Sequence, residues 1–321
     1  MKISIALATY NGEKYLLEQL NSYISQERLP DELVICDDVS TDKTVSIISD
    51  FKKKAPFQVE IIINPINLGY TKNFEKALSL CSGDIILFSD QDDVWLPNKL
   101  KVIENTFLKN KFVSLVIHDA ELVNEKLDAT DISKLTQIRS GGYGDDSFVT
   151  GTLTAIHKNI LPIVLPFPDN ISGGYDGWVH TISRLIDRRE IIEKVLQKLR
   201  RHDNNTSQWV VNSLNTVSKI DVLKSQISTK AAISYEDRIY NNYSLNKIFS
   251  QYVKDEIILN FSINANKIIN NLELEHLSLV KRQKLISKGF IGRKLQAFTM
   301  LINNDYKYFN GFKSFLRDII R

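Results

Sequence analysis

Two aspartate clusters, Asp37-Asp38 and Asp90-Gln91-Asp92-Asp93, are the residues of this chain best suited to chemistry. Each follows a strand-like apolar run, Glu32 to Cys36 before the first and Asp84 to Ser89 before the second. Both would emerge where strands end, the edge at which open α/β sheets bind ligands. Carboxylates massed in one crevice repel one another and lose hydration, a cost that a cation or a hydrogen-bonding ligand offsets. Oxygen-only ligands favour hard ions, so the pattern suggests Mg²⁺ or Mn²⁺ beside a nucleotide.

The elements that must position these acids are legible in the periodicity. Lys2 to Thr9 alternates Ile3, Ile5 and Leu7 with small residues, and Gly12 to Gln26 sets Tyr15, Leu16, Leu20, Tyr23 and Ile24 at helical spacing. Leu33 to Asp37 reads as a second strand. Ser40-Thr41-Asp42 caps a helix through Phe51, and Val59 to Ile63 is a third strand. A helix from Thr71 to Leu80 and a fourth strand from Ile85 to Ser89 follow. Strands alternating with helices imply an α/β fold with a mostly parallel sheet. Beyond Trp95 we expect a helix over Pro97 to Leu108, strands at Phe112 to Ile117 and Val149 to His157, and a loop from Pro162 to Pro168. The glycine-rich run Ser172 to Gly177 places Asp176 at or just before a helix start. From about Asn212 the sequence reads as helices, with a soft boundary near 210.

The chain has 321 residues, 43% hydrophobic and 25% charged, enough to bury a substantial core. Cys36 and Cys81 have no partner at metal-ligand spacing and read as small buried hydrophobes. A secretory leader and an apolar run of the roughly 20 residues that a bilayer span needs are both lacking, so the expected location is cytoplasmic. Ten Lys or Arg face two acids, Asp305 and Asp318, between residues 281 and 321, interleaved with aromatic and aliphatic residues. Such basic amphipathic helices suit a peripheral membrane contact, self-association as a homo-oligomer, or simple packing with a solvated basic face. No recognisable nucleic-acid module accompanies them.

Four segments together resemble family 2 glycosyltransferases of the GT-A fold. They are Ser4 to Gly12, Asp37-Asp38-Val39-Ser40-Thr41-Asp42, the turn Asn67-Leu68-Gly69, and Ser89 to Trp95. The likeness covers roughly residues 1–207. Thr150-Gly151-Thr152, Tyr175-Asp176-Gly177-Trp178 and Arg201-His202-Asp203-Asn204-Asn205 are similar to the rhamnosyltransferase-type branch. The implied organisation is a GT-A domain over 1–210, with a nucleotide-binding half (1–100) and an acceptor-binding half (101–210), followed by a basic helical region over 211–321.

The resemblance implies an inverting, metal-dependent transfer of rhamnose or another hexose from a dTDP- or UDP-sugar. The acceptor would be a glycan or lipid-linked molecule of bacterial surface polysaccharide synthesis. Asp92 would hold the cation; Asp90 would hold the ribose or the ion's water shell. Asp38 would accept a hydrogen bond from the base, with Asp37 as its neighbour and substitute, and Thr9 and Tyr10 would line the nucleoside pocket. Asn67, Gly69, Lys72 and Asn73 would fill the next corner, Lys72 meeting phosphate or merely solvent. His202 would complete the cation's shell or contact diphosphate, and Arg201, rather than Arg200, would neutralise phosphate. Asp176 would be the general base that an acceptor hydroxyl requires, with Asp169 as the fallback. Gly177 and Tyr175 depart from the residues frequent in relatives. His118, Gly151, Thr152 and Tyr175 would shape the acceptor side, where Trp95 and Trp178 would stack on sugar or serve as core.

Two other enzyme classes are excluded by what is missing. A dinucleotide oxidoreductase needs Gly-x-Gly-x-x-Gly after the first strand, where this chain has Thr9-Tyr10-Asn11-Gly12. A nucleotidyltransferase needs a glycine-rich, basic first loop. A non-catalytic nucleotide-sugar-binding or scaffold protein that keeps the fold remains the alternative.

Overall fold

The computed structural model describes residues 1–171, 173–203, 205, 209–228, 235–254 and 262–320. Contacts divide it into two units, Met1–Phe167 with Gly173–Ala231, and Pro168–Ser172 with Ala232–Arg321.

In the first unit β1 (Ile3–Thr9), α1 (Leu16–Ile24), β2 (Glu32–Asp37), α2 (Thr44–Lys52), β3 (Gln58–Ile63), α3 (Tyr70–Leu80) and β4 (Ile85–Ser89) alternate as the sequence predicts. The four strands pair in parallel in the order β3-β2-β1-β4. All residues of β2 and β4 are buried, and buried parallel strands need near-continuous apolar runs. Ile3, Ile5, Leu7, Ile35 and Leu87 share one core with Leu20 and Tyr23 of α1.

The chain continues through β5 (Val94–Trp95), α4 (Lys99–Lys109), β6 (Leu115–Val123), β7 (Ala129–Ser133), α5 (Lys134–Ser140) and β8 (Thr154–His157). It ends with α6 (Leu161–Val164), α7 (Gly174–Leu185), β9 (Arg189–Arg200) and α8 (Lys219–Ser228). The sheet extends from β4 through β8, β6 and β9 to β5, with β7 on β6. β8 lies antiparallel between β4 and β6, while β9 runs parallel to β6. Hence β1, β2, β3, β4, β6 and β9, six of nine strands, run the same way, and the sheet is mostly parallel.

Several elements differ from their expected limits. β6 runs on to Val123, past the expected end at Ile117, because β9 pairs along it as far as Val123. His118 and Asp119 therefore lie inside the sheet. The stretch expected as a loop holds the short α6, with proline in its first turn, where its missing N–H costs nothing. A single helical turn at Gly151–Leu153 precedes β8. Residues 211–217, at the start of the expected helical extension, bond to the first unit: Gln137 Nε2 donates to the carbonyls of Ser213 and Asn215.

The second unit holds α9 (Tyr235–Lys254), α10 (Ala265–Ile286), α11 (Phe290–Ile302) and α12 (Phe312–Ile320). Leu285, Ala297, Met300, Tyr306 and Phe315 form its small core. No described helix is long and apolar enough to cross a membrane.

Candidate functional site

Parallel register brings the C-terminal ends of β1, β2 and β4 to one edge, with Thr9 beside Asp37 and Leu7 beside Ser89. The loops beyond β1 and β4 are tied by one amide. Gln91 accepts from the Tyr10 N–H at 2.9 Å and donates to the Tyr10 carbonyl at 3.0 Å.

Asp37 is fully buried and accepts from Thr9 Oγ1 (2.9 Å), the Ser40 N–H (2.8 Å) and Ser40 Oγ (2.6 Å). Asp38 accepts from Asn64 Nδ2 (2.9 Å) and from the N–H groups of Leu68 and Gly69, both at 2.8 Å. Its carboxylate thus folds the 67–69 turn, where Gly69 takes a φ of +78°. Asn67 donates to the Asp38 carbonyl, and the buried Asn73 donates to the Cys36 carbonyl at 2.8 Å. Three of about four acceptor positions on each aspartate are therefore occupied by the protein. Thr9, Asp37 and Asn73, expected around the nucleotide pocket, are buried and hydrogen-bonded inward, where they shape this corner. Tyr10 stays half exposed. Lys72 is drawn to Glu75 and the Phe167 carbonyl.

The second acidic cluster is the denser one: ligand atoms of Asp90, Asp92 and Asp93 lie within 4.8 Å of one another. Asp93 is the structural member. It accepts from Gln197 Nε2 (2.6 Å), Thr152 Oγ1 (2.9 Å) and the Arg200 N–H (2.9 Å). Burial and the neighbouring Asp92 push its pKa up to about 7 despite those donors. Lys99, itself buried, is held by Gln197 Oε1 at 2.5 Å and lies over the Trp95 ring. Asp92 meets His202 Nε2 at 2.9 Å, with Asn205 Nδ2 at 3.4 Å. The His202 ring stacks on Tyr15 at 5.0 Å. Arg200 Nε donates to the Asp92 carbonyl at 2.6 Å, and its guanidinium lies over Tyr15 and pairs with Glu18. The end of β9 is therefore latched onto the acidic loop. Arg201, expected at the site in place of Arg200, donates its N–H to the Val123 carbonyl, and its half-buried side chain feels the charges of Asp92 and Asp93. Asn204 of the same motif lies outside the described residues.

Asp90 accepts no hydrogen bond through its carboxylate from the described residues. Burial, then the charges of Asp92, Asp93 and Asp176, raises its pKa well above the ordinary carboxylate range. A partly enclosed, unpartnered carboxylate facing other acids is what a bound cation would stabilise. The donor set, Asp90 and Asp92 oxygens with one imidazole, fits Mn²⁺ or Mg²⁺.

Asp176 sits in the first turn of α7, after Gly173 and Gly174 at φ +87° and +73°. It accepts from the Gly177 N–H at 2.9 Å and the Gly151 N–H at 3.2 Å. Burial raises its pKa against those donors. Tyr175 fixes the helix start by stacking on Phe74 (4.2 Å) and Phe88 (5.2 Å), the latter on β4. A Cβ on Gly151 would lie 2.1 Å from the Tyr175 hydroxyl, so glycine is what lets the ring seat there. Asp169, the fallback base, belongs to the second unit.

Three residues expected on the acceptor side lie inside the fold, the two tryptophans taking the core alternative. Trp95, 1% exposed, packs edge-on against Tyr23 at 4.7 Å. Trp178, 2% exposed, donates Nε1 to the Val164 carbonyl. His118 is fully buried in β6, Nδ1 against the Asp119 carbonyl, and burial lowers its pKa. Each is a packing group because strand pairing or helix packing turns it inward. Sequence reasoning did not single out Tyr15, Gln91, Lys99 or Gln197, set Arg200 aside in favour of Arg201, and gave Asn205 no role beyond its place in the Arg201–Asn205 motif. Gln91, set between aspartates, Arg200, beside Arg201, and Asn205, in the same motif as His202, carried a local signal; Tyr15, Lys99 and Gln197 carried none.

Residues 4–162 match the family model described as glycosyl transferase family 2. The dTDP-rhamnosyl transferase RfbG of Shigella flexneri is 41% identical over 100 residues, 30% of this chain and 34% of that protein. An abequosyltransferase of Salmonella typhimurium is 34% identical over 113 residues, 35% of this chain and 34% of that protein. The chain thus spans about a third of the length of these curated relatives. Among solved structures, S. aureus TarS 1-349 in complex with UDP aligns with a TM-score of 0.55 at 17% identity, covering 92% of this chain and 78% of that one. At that identity the likeness shows a shared fold.

Proposed function

We propose that this chain, which belongs to glycosyl transferase family 2, transfers a sugar from a nucleoside diphosphate to a hydroxyl of a glycan or lipid-linked acceptor. The observation that carries the reading is convergence: Asp90 and Asp92 beyond β4, His202 beyond β9 and Asp176 on α7 meet at one sheet edge. Asp90 and Asp92, with His202, would hold the cation. A bound Mg²⁺ or Mn²⁺ would supply Lewis-acid stabilisation of the departing diphosphate. Arg201 adds positive charge on the same side.

The chain's own part in the chemistry falls to Asp176. An acceptor hydroxyl is too weak an acid to ionise near neutral pH, so its proton passes to the Asp176 carboxylate as its oxygen attacks the anomeric carbon. Attack opposite the leaving diphosphate inverts the anomeric centre. The Gly177 and Gly151 N–H groups hold the carboxylate in place. Tyr10, Asp38, Asn67 and Gly69 bound the nucleoside end.

A dTDP- or UDP-linked hexose, rhamnose among them, is the proposed donor, and bacterial surface polysaccharide the setting. The dTDP-rhamnosyl transferase of Shigella flexneri and the abequosyltransferase of Salmonella typhimurium support this. So does the Escherichia coli UDP-Glc:alpha-D-GlcNAc-diphosphoundecaprenol beta-1,3-glucosyltransferase, 30% identical over 122 residues. The test is a thermal-shift screen of nucleotide sugars with Mn²⁺, followed by transfer assays on the wild type and Asp176→Asn. Loss of about 10² to 10⁴ in transfer rate with donor binding kept is expected of a lost base. Unchanged transfer removes Asp176 from that role, and donor binding without transfer to any acceptor favours the scaffold reading.

A further inference from the structure

The second unit carries an apolar surface that its own core leaves largely exposed. On α11, Ile291, Leu295, Phe298 and Ile302 follow one another by four, three and four residues, and each is at least half exposed. On α12, Phe312, Leu316 and Ile320 recur every fourth residue and are 59%, 43% and 80% exposed. Such spacing gathers each set on one helix face. Ala297 and Met300 on the opposite face of α11, and Phe315 beside the α12 stripe, supply the small core. Phe298 and Phe315 meet edge-on at 5.2 Å, tying the two helices together.

The charges are sorted in the same way. Both acids of this region are buried and internally neutralised. Asp305 is held by Lys281 at 2.9 Å, and Asp318 by Arg282 through two bonds at 2.8 and 3.0 Å. Lys284, Lys288, Arg293, Lys294, Lys307, Lys313 and Arg317 remain, with no acid exposed among them. Lys294 lies three residues after Ile291 and four before Phe298, and Lys313 adjoins Phe312, so cations border both stripes.

We propose that the outer faces of α11 and α12 dock on a lipid surface bearing anionic headgroups, the apolar stripes entering the acyl boundary and the Lys and Arg meeting the headgroups. The inference stands independently of the transferase reading. A self-complementary contact between two copies would set basic face against basic face. A nucleic acid would satisfy the charges but leave the apolar stripes in water. An anionic bilayer surface accepts both, and helices this short lie along it.

The test is flotation of the full chain with vesicles of phosphatidylcholine containing phosphatidylglycerol, against vesicles of phosphatidylcholine alone. Binding is expected to the anionic vesicles only and to fall as salt rises. The double variant Lys294→Gln, Lys313→Gln should lower the partition coefficient about 25-fold, roughly fivefold per charge. Leu295→Ser with Ile302→Ser should abolish it, while circular dichroism shows both variants folded. Equal recovery with the two vesicle types, no recovery, or indifference to both double variants overturns the proposal. So does a dimer in light scattering that Leu295→Ser with Ile302→Ser dissociates, which would assign the face to a second copy.

Discussion

Replacing Glu32 by Gln tests the end of the sheet opposite the site. Glu32 begins β2, and its carboxylate accepts from Ser4 Oγ, the Ser82 N–H and Ser82 Oγ, all at 2.5 Å, and pairs with Lys2 at 2.9 Å. Burial alone would raise its pKa, but these donors outweigh it and bring the group from 4.5 to about 2. At about 1.4 kcal/mol per unit, the ionised form contributes about 3 kcal/mol to stability. A depressed folded-state pKa means that this contribution is complete above the unfolded value of 4.5 and is lost as pH falls toward 2. Glutamine is nearly isosteric with the protonated acid, so Glu32→Gln should cost about 3 kcal/mol at neutral pH and progressively less in acid. Urea denaturation of both proteins at several pH values measures the gap, and other carboxylates cancel in the difference. Because Asp37, at the far end of the same strand, marks the site edge, kcat should be unchanged below the melting transition. A gap that stays constant across pH, or one under about 1 kcal/mol at neutral pH, would refute the reasoning.

Other consequences follow from the site. Gly151→Ala pushes a Cβ to 2.1 Å from the Tyr175 hydroxyl, whose ring is wedged between Phe74 and Phe88. A loss of about 1–3 kcal/mol in denaturant titrations is expected, and an unaltered midpoint would show that the ring moves freely. Asp92→Asn should abolish Mn²⁺-dependent donor binding in calorimetry, whereas Asp93→Ala should act chiefly by destabilising the fold, since it leaves the buried donors of Thr152, Gln197 and the Arg200 N–H without their acceptor. His202→Ala should weaken Mn²⁺ affinity measurably by electron paramagnetic resonance, and equal affinity would remove it from the cation's shell. Chelation with EDTA should stop transfer and added Mn²⁺ restore it.

Sequence alone determined the alternating elements of the first ninety residues and the edge they share. Buried parallel strands such as β2 and β4 must be continuous apolar runs, so their ends, and the aspartates that follow them, are written locally. Local pattern also placed Asp176 at a helix start, because glycines with positive φ announce themselves. The partners of those acids came only from tertiary structure. Asp92 meets His202 across 110 residues, and Asp93 meets Gln197 across 104. Nothing in a short window specifies which strands pair, or that β9 would lie along β6 and carry Arg200 and His202 to the acidic loop. Burial was likewise decided by packing: a tryptophan beside an acidic motif reads the same whether it faces a sugar or Tyr23, and only the assembled core turned Trp95 inward. The C-terminal basic residues showed the same division, since composition only counted Asp305 and Asp318 among the region's charges, and folding buried both against Lys281 and Arg282. Periodicity is a property of neighbours in the chain, whereas charge pairing and burial depend on which distant segments the fold brings into contact.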